Sequence, residues 1–357
     1  MSGPESGTTG GDWGEGRDRR GRGGSGGAAS DDAVIGPGYY GIPAIHKPHW
    51  KWLIIFYFYF GGIAGAAYAV ATIADAVGAS EDRRIGRIGR YLSFAALLPS
   101  PILLVLDLGR PERFFLMFRV LKLRSPMSLG TWGLTAFGGF SALSVAAQAA
   151  VDGRLGDGFV GRRAQQLPIQ ALGVAGTPLA LFVAGYTGVL LAATAVPLWT
   201  KRALLLGPLF LASAFSSAVS AIELIVALMP STPAATRHRL TRLGVSTLFA
   251  EAAIFIAWRN GLGPTGRPLG EGATGRVVRL GVVGGGIALP LVLQAVASVT
   301  TGGFARILSV VSSVSVLAGG LALRYVVVVA GNTSADDPRA TLGMTAADGA
   351  PERLSTH

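Results

Sequence analysis

Five stretches of the sequence lack Asp, Glu, Lys and Arg altogether: residues 53–74, 125–151, 164–200, 203–222 and 280–305. Each reaches the ~20 residues that a helix needs to cross a ~30 Å hydrocarbon core. Charged residues make up 14% of the 357 positions, against about 25% in a soluble globular protein. An ordinary soluble enzyme is excluded. The pattern predicts an all-α membrane protein with eight transmembrane helices, at about 53–76, 91–108, 129–151, 170–198, 203–229, 243–259, 279–300 and 305–331. Span two is short and carries Leu98-Pro99-Ser100-Pro101, which must kink or break it. Span six is short and interrupted by Glu251.

The flanks read differently. Residues 1–35 hold eleven glycines with scattered Arg and Asp, too little apolar surface to offset the entropy of ordering. Residues 1–45 are therefore expected to form a disordered Gly/Arg/Asp-rich tail, 46–332 the membrane domain, and 333–357 a polar C-terminal tail. No apolar run follows basic residues at the N-terminus, so no cleavable signal peptide is visible. The net charge of +11 fits basic loop ends against anionic headgroups of membrane lipid. No aromatic–basic module accompanies it, so no nucleic-acid partner is expected.

Eight spans put both tails on one side, here named the near face. Lys and Arg close to the span ends number 14 near and 11 far, a bias that makes the near face cytoplasmic. Within spans, small residues such as Gly61-Gly62-Ile63-Ala64-Gly65 and Gly284-Gly285-Gly286 form packing faces, because they let helix backbones approach closely. Phe60 followed by small residues and ending at Asp75 echoes Phe210 followed by small residues and ending at Glu223. Two four-helix bundles account for the echo; so does chance similarity between Ala-rich helices.

The sequence has no cysteine and four histidines, His46, His49, His238 and His357, all outside the predicted spans. A b-type haem needs axial ligands at membrane depth and iron–sulfur clusters need thiolates. No haem and no iron–sulfur cluster is expected in this subunit, and no metal site.

Chemistry-bearing residues fall into two groups. On the near face, residues 107–114 read DLGRPERF and 125–132 read SPMSLGTW. A carboxylate at a helix end followed by arginines makes an ionic corner, and Pro126 with Ser128 sets up entry into span three; a well-capped loop explains the same spacing. These two runs resemble the signature of the NrfD/PsrC family of polysulfide-reductase-like membrane subunits. Trp52 leading into Phe56–Gly65, residues 185–191 with Pro197-Leu198-Trp199, and residues 211–217 agree with that resemblance, which covers about 45–330.

The resemblance implies a haem-free, eight-helix subunit that exchanges electrons between a membrane quinone, menaquinone or ubiquinone, and a ferredoxin-like iron–sulfur partner. Beside that partner usually sits a molybdopterin-type catalytic subunit, in a bacterial cytoplasmic membrane. It also implies a headgroup site near the docking face, at the start of span one and within span four.

Residue chemistry points to the same region. A quinol releases two protons with its two electrons, so its pocket needs proton-accepting groups. His46, His49, Asp107, Arg110, Tyr186 and Arg324 are the candidate quinone contacts, and Arg113, Ser125, Pro126 and Met127 the candidate docking residues. Each has a structural alternative: the histidines as part of an interfacial belt with Trp50 and Trp52, Tyr186 as a packing cap, Arg324 as a backbone or Asp107 partner.

The second group is acidic. Isolated intramembrane carboxylates are costly and commonly mark proton or ion paths. Glu223 and Glu251 are expected at matching depths on consecutive helices, close enough to share a proton, with Asp75 as an entrance toward Tyr186. The alternative pairs the two glutamates with Arg237, Arg239 or Arg242. A secondary transporter and an inert structural anchor remain competing functions.

Overall fold

A computed structural model describes residues 52–335 except 109, 120, 123, 157, 230 and 231. Within them eight helices are long and apolar enough to cross a membrane: α1 (Trp52–Val77), α2 (Ser80–Asp107), α3 (Pro126–Val151), α4 (Ile169–Ala192), α5 (Ala203–Leu228), α6 (Ala234–Asn260), α7 (Gly272–Val299) and α8 (Gly302–Ala335). The two expected tails lie outside the described residues, apart from 333–335, which continue α8.

The eight predicted spans are all present; spans two and six start eleven and nine residues before the predicted positions, and span four ends at Ala192, six residues short of the prediction. Residues 83–90 carry four arginines (Arg83, Arg84, Arg87 and Arg90) and look like a loop, yet they are helical. Three of the four fall at i, i+4 and i+7, one helix face, which carries charge without breaking the helix. Span six likewise starts nine residues earlier, at Ala234 after Pro233, and takes in Arg237, His238, Arg239 and Arg242. The expected kink is found: α2 turns at Leu98 and resumes at Pro99, where a missing N–H costs nothing in a first turn.

The helices form two rings of four. In α1–α4 each helix packs on the next and α4 closes on α1; α5–α8 repeat the arrangement. The rings meet through α1 and α5, the first helix of each, with α4 against α5 and α1 against α8. The internal echo between the Phe60 and Phe210 regions thus falls on topologically equivalent helices. Lipid gives no hydrophobic force between helices, so association rests on close backbone approach and interhelical hydrogen bonds. The sequence supplies the approach. Gly65 lies against the Ala180 carbonyl of α4, Gly188 of α4 against Leu206 and Gly207 of α5, and Gly286 of α7 against Gly319 of α8.

The glycine run of α7 does more than pack. Residues 277–288 are wound as a π-helix, with the Leu289 N–H donating to the Gly284 carbonyl five residues back. Pro290, just beyond, has no N–H to offer. Such segments are rare and normally limited to one turn.

A Cβ on Gly319 would meet the Gly286 backbone well inside contact distance, whereas Gly303 faces open space. Gly319→Val is expected to cost at least the ~1–3 kcal/mol of an overpacked interior and to lower the melting temperature of the detergent-solubilised protein. Gly303→Ala is expected to leave it unchanged, by differential scanning fluorimetry.

Candidate functional site

At the near face, the SPMS run makes the corner that the sequence predicts. Ser125 caps α3, its side chain accepting from the Ser128 N–H at 3.4 Å, with Pro126 in the first turn. The Ser128 hydroxyl accepts in turn from the Lys122 N–H at 3.0 Å, tying down the incoming loop. Tyr186 joins this corner directly, its hydroxyl donating to the Pro126 carbonyl. It lies six residues from the near-face end of α4, about 9 Å, and not at the helix centre that the sequence suggests. Gly130 leaves room for its ring, which lies tilted by 32° against Phe182 with centroids 4.9 Å apart. Tyr57 of α1, which the sequence reading passes over, is buried and within electrostatic reach of Tyr186.

Between the two motifs a 3-10 helix covers Pro111–Phe118. Arg110, Glu112 and Arg113 are exposed on it or beside it, and Met127 is exposed at the start of α3. Asp107 ends the second segment of α2. Phe114 and Phe118 of the 3-10 helix roof an apolar cleft of about 220 Å³ between α2 and α3, with Leu97, Leu104, Thr131 and Leu134 on its walls. His46 and His49 lie outside the described residues.

A second polar cluster is fully enclosed where α1, α5, α6 and α8 meet. Arg324 is 1% exposed. Its Nη1 donates to Ser213 Oγ at 2.5 Å and to the Gly320 carbonyl at 2.9 Å, and Nη2 donates to the Phe210 carbonyl at 3.4 Å. The guanidinium also stands over Phe210 and Tyr59, 5.5 and 5.8 Å from the ring centroids. Glu251, 4% exposed, accepts from the Ser216 hydroxyl one turn along α5. A single helix face thus joins a cation on α8 to a carboxylate on α6. Tyr59, also unpredicted, donates to the Leu317 carbonyl at 3.0 Å.

This arrangement differs from the expected pairing of Glu223 with Glu251. Because α6 begins at Ala234, Glu251 stands nine residues from its near-face end, whereas Glu223 is five residues from the far-face end of α5. Seven residues of α5 separate Glu223 from Ser216, the partner of Glu251, about 10 Å along the axis. Neither glutamate pairs with Arg239, whose Nη1 holds Asp82 at 2.5 Å.

Two far-face cavities, one in each ring, contain the acids that the sequence singles out; a third, about 470 Å³, lies between the rings beside Asp82 and Arg239. The first, about 620 Å³, is lined by Asp75, Arg83, Arg84, Arg87, Arg90 and Gln148 among others. Asp75 forms an ion pair with the buried Arg90, which also donates to Gln148 Oε1 at 2.6 Å. Asp152 completes the network with Arg87 at 2.6 Å and Tyr91 at 2.9 Å. The second cavity, about 380 Å³, contains Glu223. Asp75 and Glu223 therefore belong to different rings. No cluster of three or more metal-ligating His, Cys, Asp or Glu occurs among the described residues.

With this layout in view, the comparison with known families is decisive. Residues 44–335 match the family described as Polysulphide reductase, NrfD. The protein belongs to the NrfD family. Among curated relatives of this NrfD protein, it is 28% identical over 307 residues to a polysulfide reductase chain of Wolinella succinogenes, an alignment covering 80% of this sequence and 94% of that one. It is 30% identical over 83 residues to a selenate reductase subunit of Mesobacillus selenatarsenatis, 23% of this sequence and only 19% of that relative's length. It is a multi-pass membrane protein.

Removing one member of a buried charge pair costs about 3–5 kcal/mol, mostly by stranding the other. Arg324→Met is accordingly expected to depress thermal stability strongly, and adding Glu251→Gln to recover much of the loss. A double variant no more stable than Arg324→Met alone would show that the two groups are not coupled.

Proposed function

We propose that this protein is the membrane subunit of a quinone-linked reductase complex. It exchanges electrons between menaquinone or ubiquinone and a ferredoxin-like iron–sulfur subunit docked on the near face, beside a molybdopterin-type catalytic subunit in a bacterial cytoplasmic membrane. The observation that carries this reading is the near-face corner, where α3 holds Tyr186 at its SPMS start and lines an apolar cleft with Thr131 and Leu134. Family membership and a near full-length relative named as part of a polysulfide reductase support it.

The residues present fit a lipophilic, hydrogen-bonding ligand. An apolar cleft of about 220 Å³ accepts a ring or the start of an isoprenoid tail. The polar side chains in its walls are Thr131 and Thr135, and the Tyr186 hydroxyl is bonded to Pro126 at the start of the same helix. A bound quinone supplies paired two-electron, two-proton chemistry. The protein's own residues then bind and orient: Tyr186 and Asp107 at the corner, Arg110 at its rim, and His46 and His49 just before α1 as proton acceptors at working pH. Arg113, Ser125, Pro126 and Met127 form the docking edge, close enough for electrons to pass to the partner's clusters. Arg324 lies eleven residues inside the near-face end of α8, deeper than the corner that holds Tyr186.

Removing the Tyr186 hydroxyl tests the site with little change in volume. In the purified complex, Tyr186→Phe is expected to lower quinol-dependent dye reduction about tenfold, with partner subunits still bound and dithionite-driven activity of the catalytic subunit intact. Wild-type turnover in this variant, together with unchanged binding of a quinone-analogue inhibitor, would move the site elsewhere.

A further inference from the structure

The two rings repeat one feature and then differ in how they treat it. Each places an acid near the far-face end of its first helix, Asp75 on α1 and Glu223 on α5, and each acid lines a cavity on that face. Asp75 is neutralised by Arg90, itself enclosed and held by Gln148. Glu223 has no ion pair among the described residues; the Thr241 side chain of α6 is within reach of its carboxyl, while its shielded Oε1 has no hydrogen-bond partner. The groups facing it are Arg237, His238 and Thr241 of α6, Gln294 of α7, and Arg306 and Ser309 of α8. Arg306 spends its Nε on the Ala227 carbonyl. Gln294 is 6% exposed and its Oε1 is also unpartnered. Two buried acceptors without donors, in one cavity, mark a site built for water.

Inward from Glu223 the same helix presents Ser220, Ser217, Ser216 and Ser213, all buried. Ser217 and Ser220 have unpartnered hydroxyls, while Ser216 and Ser213 hold Glu251 and Arg324. At 1.5 Å per residue, this ladder climbs about 15 Å from Glu223 to Ser213. Core serines in a bundle usually back-bond to their own helix; two that do not, directly above an unpaired carboxyl, are out of place in a purely structural stripe.

We propose that the second ring carries a proton-entry path from the far face, through Glu223 and the α5 hydroxyls to Glu251, and that the first ring carries its closed counterpart, sealed by the Asp75–Arg90 pair. The proposal rests on the quinone-linked reading above. Each quinone reduced takes two electrons from the iron–sulfur partner and two protons. The protons are taken from hydronium at the far-face cavity, which is left as water, pass from Glu223 by O–H exchange along the serines and waters to Glu251, and go from Glu251 to the quinone being reduced, with each carboxyl returning to its starting state. Quinol oxidation runs the same steps in reverse.

The test uses the whole complex in liposomes, oriented by partner accessibility, with a pH dye on the far-face side and a quinone pool in the bilayer. Glu223→Gln and the Ser217→Ala/Ser220→Ala double variant are each expected to reduce far-face protons moved per electron at least tenfold. The Asp75→Asn/Arg90→Gln double variant is expected to keep the wild-type ratio. In the unmodified complex, a hydrophobic carbodiimide is expected to label Glu223 and not Asp75, a readout independent of turnover. A wild-type proton ratio in both the Glu223 and the serine variants, or labelling of Asp75 alone, would overturn the path while leaving the quinone reading intact. Absence of any quinone turnover in the wild-type complex would overturn the reading beneath it.

Discussion

Inside a bilayer no water rescues an unsatisfied polar group, and no hydrophobic force draws one helix to another. Every large feature of this molecule answers those two conditions. Glycine and alanine bring α1 and α5 close to their neighbours, so the two rings share a tight central seam. The polar groups that remain inside are gathered where partners can be provided. Arg324 alone uses a serine, two backbone carbonyls and two aromatic faces to stay charged in the core. Remove the close packing and the rings part; remove the partners and the charges become intolerable.

The functional surfaces are separated by the same logic. The near face is chemically mixed, with an apolar cleft, a tyrosine bonded into a capped corner and exposed arginines around them, a combination suited to a lipid-soluble carrier arriving beside a docked protein. The far face is basic and hollowed by polar cavities. Between them runs one polar helix face on α5, and the matching position of the first ring is filled by Tyr68, bonded to Ser144 at 2.9 Å and to the Leu172 carbonyl at 2.7 Å. Tyr68 has spent its hydroxyl on two partners, whereas Ser217 and Ser220 of α5 keep theirs uncommitted.

Much of this was legible in the sequence because lipid enforces a simple code. Uninterrupted apolar length set the number of helices and small-residue runs marked the contact faces, while the echo between Asp75 and Glu223, which the sequence leaves open between repeat and chance, falls on equivalent helices. The SPMS corner was readable from Pro and Ser positions alone. What escaped had a common cause: arginines inside α2 and α6 resemble loop residues when counted by charge. Shortening α6 by nine residues misplaced the depth of Glu251 and paired it with the wrong glutamate. Tyr57 and Tyr59 were hidden within an aromatic run whose members differ only in which helix face they occupy, and α1 buries nearly all its faces.

Helix length has one more consequence. At 27 and 34 residues, α6 and α8 measure about 40 and 51 Å, against a hydrocarbon slab of about 30 Å. Both exceed the slab, an excess that tilt or overhang must absorb. On the far face, Arg237 and His238 of α6 and Arg306 of α8 give the hollow around Glu223 a basic rim.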